Sequence, residues 1–146
     1  MPPLGSIATL PSSPQKVAIL IGINEYRHGV PPLRNAIRDA HSLGQVLSEQ
    51  HGYLVRLVLD DQATLSELRR LFTELAAETT TNTALILYFA GHGIAQETTD
   101  DGSGPQGFLL PQDARRDEPA SFLPMTEIQQ LLSPLPCKHL LLLLDC

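Results

Sequence analysis

Two kinds of hydrophobic run alternate along the chain, and the alternation predicts its architecture. Lys16-Val17-Ala18-Ile19-Leu20-Ile21-Gly22-Ile23 is almost continuously apolar and rich in β-branched residues. That is the pattern of a strand covered on both faces, as in a parallel sheet. Residues 33–50 instead place Leu33, Ala36, Ile37, Ala40, Leu43, Val46 and Leu47 at helical spacing, and Gly52 closes the helix. Tyr53 to Leu59 reads as a second strand. A helix from Leu65 to Glu78 follows, with Leu65, Leu68, Leu71, Phe72 and Leu75 on one face. Thr64 with Glu67 three residues later predicts a capping box at its start. Ala84 to Ala90 is a third strand, residues 94–106 a long polar loop, and Gly107-Phe108-Leu109-Leu110-Pro111 a short apolar segment. Residues 125–133 predict another helix, and 138–144, with five consecutive leucines, a fourth strand.

Strands alternating with helices imply right-handed β-α-β units around a parallel sheet, an α/β fold. Sites in such sheets lie outside the carboxyl ends of the strands. Gly22-Ile23-Asn24, Gly91-His92-Gly93 and Asp145-Cys146 each follow a predicted strand end, so all three are expected at one edge of the sheet. There is no internal repeat.

Composition narrows the class. The 146 residues are about one domain's worth, and 42% hydrophobic with 18% charged content suits a soluble globular core. Residues 1–15, rich in Pro, Ser and Gly, read as a flexible leader before a domain over 16–146. A net charge of −6 argues against nucleic acid as a partner, which requires a basic face. No apolar run approaches the ~20 residues that span a bilayer, and the start has neither a basic nor a long apolar signal region. No membrane association is expected. Two cysteines, Cys137 and Cys146, make no disulfide framework, so a reducing cytoplasm is the expected location.

The chemistry concentrates at two strand ends. Flanking glycines leave the His92 imidazole open to a cleft, and the Gly93 amide is a candidate oxyanion donor. The Cys146 thiol ends the neighbouring predicted strand, so a nucleophile–base dyad is possible. Other candidates are weaker. His28, His41, His51 and His139 share no metal-ligand spacing. Gly22-Ile23-Asn24 lacks the repeated glycines of a phosphate loop, and Cys137 precedes a strand without a reactive setting.

Tyr88-Phe89-Ala90-Gly91-His92-Gly93 resembles the [YF]-[FS]-[AS]-G-H-G element of the caspase, paracaspase and metacaspase superfamily of cysteine peptidases (peptidase C14). The resemblance runs over about residues 16–146. Lys16 to Tyr26 is similar to the first strand and its Gly-Ile-Asn turn, and Leu33 to Ala40 to the L-x-x-x-x-x-D-A helix start. Gly107 to Ala114 is similar to the aromatic–aliphatic–Pro–x–Asp segment. The 54 residues from His92 to Cys146 compare with about 50 in caspases. The resemblance implies a three-layer α/β/α sandwich with a mostly parallel sheet, here the large-subunit (p20-type) portion, truncated after its fourth major strand and incomplete at its C-terminus. Further C-terminal domains are expected in the parent protein.

Two alignments of the nucleophile are open. Relatives read D-[SCA]-C-[HF]-[SA]-G, which sets Asp145 as the aspartate, Cys146 as the middle residue and the nucleophile one position beyond; this is the favoured register. Alternatively Cys146 is itself the nucleophile. The resemblance implies a Cys/His peptidase acting on a protein or peptide, with thiolate attack and proton transfer by His92, and a fragment inactive on its own. Asp39 and Asp145 match positions that line an acidic S1 pocket, implying cleavage after Arg or Lys. Arg34 is the nearest counterpart of the arginine with which caspases bind aspartate, and it does not align cleanly. No cofactor or metal is expected; some metacaspases need calcium, and Asp100-Asp101-Gly102-Ser103-Gly104 is the segment to consider, without EF-hand spacing. The alternatives to a peptidase are a non-catalytic caspase-like interaction module and an unrelated flavodoxin-like domain with an incidental Gly-His-Gly.

Overall fold

A computed structural model describes residues 15–97 and 104–146. The elements are β1 (Gln15–Gly22), α1 (Ala36–His51), β2 (Leu54–Leu59), α2 (Leu65–Glu78), β3 (Thr83–Ala90), β4 (Gly93–Gln96), β5 (Gln106–Leu109), β6 (Leu123–Pro124), α3 (Met125–Leu132) and β7 (His139–Asp145). Gln15, expected in the leader, already pairs with Thr83 in the sheet; residues 1–14, and Asp100 to Ser103 of the acidic segment, lie outside the described residues.

The main sheet is parallel, in the order β2-β1-β3-β7. Side-chain alternation along β1 feeds two cores. Ala18 and Leu20 pack with Ala36, Ala40 and Leu47 of α1 on one face. Val17, Ile19 and Ile21 pack with Leu68, Leu71 and Leu75 of α2 and Ile128 and Leu132 of α3 on the other. These are the three layers of an α/β/α sandwich. Right-handed crossovers account for the split: the step from β1 to β2 runs one way with α1 above it, and the next step, to β3, reverses. The reversal leaves a crevice beyond the carboxyl ends of β1 and β3, the usual place for a site in an open α/β sheet.

Local sequence explains the close approach of α1. A Cβ at Gly22 would lie 3.0 Å from the Ala36 carbonyl oxygen and 3.2 Å from Ala40 Cβ. Asn35 caps nothing with its side chain; instead Asn24 Oδ1 accepts the Ile37 N–H at 3.2 Å from the turn after β1. Thr64 caps α2 as the sequence predicts, accepting the Glu67 N–H. Glu67 does not close the box and pairs with Arg70.

One expectation needs correction. The stretch 94–106 is not one polar loop: β4 opens it and pairs antiparallel with β5, which pairs with β6 to form a second, three-stranded sheet. These strands of two to four residues are too short to show a period. The strand over 138–144 lies at the edge of the described sheet, and Leu140, Leu141, Leu143 and Leu144 are between 36% and 49% exposed.

Candidate active site

The loop after β1 is built to hold His92. Asp60, at the end of β2, accepts the N–H groups of Asn24 at 2.8 Å and Glu25 at 3.1 Å. Leu33 N–H returns to the Asn24 carbonyl, and Arg27 N–H donates to the Gln112 carbonyl. Two groups of this loop then meet the histidine. Tyr26 Oη accepts the His92 backbone N–H at 2.8 Å, with the rings 5.1 Å apart and tilted. His92 Nε2 is 2.8 Å from the Pro31 carbonyl oxygen. A carbonyl only accepts, so Nε2 carries the proton in the neutral ring and Nδ1 holds the free lone pair.

The glycines beside His92 answer to space. A Cβ at Gly91 would sit 2.8 Å from both Tyr26 Oη and Phe89 Cζ. One at Gly93 would sit 3.0 Å from Cys146 Sγ. The Cys146 thiol therefore lies against Gly93, on the residue next to the histidine.

His92, Cys146, Asp39 and Asp145 line one cavity of about 270 Å³, with Ala90 and Gly91 from the end of β3 and Leu33 to Ala36 from the start of α1. Four of the five predicted site residues thus share a wall of one cavity, and Gly93 touches the thiol. Register explains the convergence: Ala90 pairs with Asp145 across β3 and β7, and Gly91 N–H reaches the Asp145 carbonyl at 3.3 Å. Arg34 also lines the cavity, exposed and in no ion pair among the described residues.

Three participants are not among the residues the sequence singled out for the site. Tyr88 Oη donates to Asp145 Oδ2 at 3.2 Å. Burial, then the Asp145 charge and hydrogen bond, then the Asp39 charge push its hydroxyl up to about 12. The charges of both acids therefore act on the Tyr88 hydroxyl. Burial likewise pushes the Tyr26 hydroxyl up to about 12; the His92 N–H opposes this, while Asp60 and Cys146 add to it. Tyr88 opens the Gly-His-Gly motif, a signal that was available. Pro31 acts through its main chain, which no residue type announces.

Asp113, in the Pro-x-Asp segment, does not reach this cavity and accepts the Leu65 N–H at the head of α2, at 2.9 Å. A larger groove, about 520 Å³, lies between β2 and α2. It is lined by Arg56, Glu67, Arg70 and Glu74, which pair with one another, and contains no nucleophile. No group of three or more potential metal ligands occurs among the described residues, and none of their helices is long and apolar enough to cross a membrane.

The family model for the caspase domain of peptidase family C14 matches residues 15–146. The chain belongs to the caspase-domain family. A comparison with curated proteins finds no match. Among solved structures, the caspase-domain chain is similar to protein GSU0716 from Geobacter sulfurreducens, with a TM-score of 0.71 and 19% identity over 90% of this chain. It spans about half, 49%, of that protein's chain. At this identity the likeness speaks to the fold. Membership of the caspase-domain family makes the coarse function that of a cysteine peptidase-like domain.

Proposed function

We propose that the parent protein is a cysteine endopeptidase that cleaves after Arg or Lys, with His92 as its base and its thiol at the end of β7. The observation that carries this reading is the cavity in which the His92 imidazole, the end of β7 and the Asp39 and Asp145 carboxylates meet. Nδ1 of His92 takes the thiol proton, since Nε2 is occupied by the Pro31 carbonyl. The thiolate sulfur bonds to the scissile carbonyl carbon, the C–N bond breaks, and the imidazolium gives its proton to the leaving amine. Water then hydrolyses the thioester and restores the thiol and the neutral ring. The Gly93 amide is the proposed oxyanion donor.

The resemblance to relatives that read Asp-x-Cys favours that register for the nucleophile. Asp145 bonds Tyr88 on the α1 side of the sheet, and Cys146 packs on Gly93. In this register Cys146 supports the loop, and the chain 1–146 is inactive alone. Asp39 and Asp145 supply the charge for a basic P1 side chain, with two-pronged bonds available to arginine.

Fluorogenic peptides with Arg, Lys or Asp at P1 test the reading on the parent protein. Arg and Lys peptides are expected to be cleaved, and His92→Ala is expected to lower turnover at least ~100-fold. Turnover surviving that substitution removes His92 from the mechanism. Cleavage after Asp alone transfers specificity to Arg34, and no cleavage at all points to a non-catalytic module. Cys146→Ala is expected to keep turnover; its loss would make Cys146 the nucleophile.

A further inference from the structure

His92 stands between two cavities. On one flank is the acid-lined cavity; on the other is a separate one of about 400 Å³, lined by Val30, Pro31, Ile94, Leu110 and Phe122 with Gln96 and Arg116. Its apolar walls are part of a core cluster: Val30, Leu110 and Phe122 are buried, and half-buried Ile94 packs against them. Phe122 is in turn braced edge-on by Phe108, with ring centroids 6.0 Å apart. Gln96 lies two residues along β4 from Ile94, so both side chains face the same way. Arg116 is exposed and forms no ion pair among the described residues. Pro31 belongs to the wall of this cavity and also fixes the His92 ring.

We propose that this second cavity receives the substrate residue on the amine side of the scissile bond, and that it selects a large apolar side chain there. The inference rests on the peptidase reading above. The imidazole that protonates the leaving amine must stand beside it. With the acyl-side residue held between Asp39 and Asp145, the chain beyond the scissile bond runs past His92 to its other flank. What it meets there is a preformed apolar recess with a few polar groups, the usual make-up of a selective pocket. Arg116 contributes positive charge to the lining, which disfavours a basic residue in that position. The two flanks thus divide the labour: charge reads the residue before the cut, and apolar area reads the residue after it.

Quenched fluorescent peptides with Arg fixed before the cut and Gly, Ser, Leu, Phe, Asp or Lys after it test this on the parent protein. Leu and Phe peptides are expected to show kcat/KM at least ~10-fold above the Gly peptide, the range over which an apolar pocket discriminates. Ile94→Asp is expected to bring the Leu-to-Gly ratio close to one. A flat profile, or a preference for Lys, overturns the proposal. A binding measurement separates this outcome from failure of the peptidase reading. The tripeptide Leu-Gly-Gly, an amine-side product, is expected to shift the NMR signals of the Val30 and Ile94 methyl groups, while Gly-Gly-Gly leaves them in place. Absence of that difference overturns the proposal whether or not peptides are cleaved. Binding of Leu-Gly-Gly without any cleavage would sink the peptidase reading and leave the pocket standing.

Discussion

Tyr88 is buried beside two carboxylates, and burial and negative charge act on its hydroxyl in the same direction. Both disfavour the phenolate, so the folded protein holds this proton to about 12 against 10.0 for a free tyrosine. A folded-state value above the unfolded one stabilises the fold fully below the unfolded value. That contribution is lost as pH climbs from about 10 through about 12. Tyr88→Phe removes the bond to Asp145 and is expected to cost about 1 kcal/mol at neutral pH. In urea unfolding the gap between wild type and variant should then narrow as pH rises from about 10 to about 12; a gap that widens would contradict the assigned direction. In turnover assays the variant should raise KM for basic peptides more than it lowers kcat, because Asp145 loses its anchor. His92 and Asp145 were legible in the sequence because they follow apolar strands, whereas Asp39, inside α1, was reached only through the resemblance of Leu33 to Ala40 to the family's helix start. Tyr88 was legible only as part of a motif, since an aromatic residue in a strand reads as core. The Pro31 carbonyl was not legible, because every residue carries one.

At the level of elements, helix starts depend on partners far away in the chain. The head of α2 is satisfied by Thr64 locally and by Asp113 from 48 residues away, which takes the Leu65 N–H. Asp113→Ala removes a cap and is expected to lower unfolding free energy by about 1 kcal/mol, measured in urea. Asp113→Asn keeps an acceptor and should recover most of it. An unchanged midpoint in the alanine variant would mean that water replaces the carboxylate at no cost. Elements with a sustained period were readable to within a few residues: α2 has the predicted bounds, Leu65–Glu78. The β4-β5-β6 sheet was not, because its strands pair in four or two registered positions and include Gly93, Gly107 and Pro124. Glycine and proline there read as loop. Their placement is decided by tertiary packing on α3 and the Phe108–Phe122 cluster, not by local preference.

For the molecule as a whole, β7 sets the balance between site and solubility. It supplies Asp145 to the cavity while showing solvent an apolar strand whose outer edge has no neighbour among the described strands. Such an edge promotes association. Leu141→Lys with Leu143→Lys should reduce light scattering by the chain 1–146 and change stability by less than about 0.5 kcal/mol. Leu142 packs against the core, so Leu142→Lys should destabilise instead; equal effects at 141 and 142 would refute the facing assigned to β7. The parallel α/β sandwich itself was legible from alternating runs, whereas the order of strands was not, because order is set by crossover direction and not by any single segment. The cavity draws Asp39 from the helix after β1, His92 from the end of β3, and Asp145 with Cys146 from the end of β7. These parts leave the ribosome in that sequence. The nascent chain therefore carries a histidine and one acid long before the second acid and the thiol exist, and the cavity closes only when the seventh strand docks.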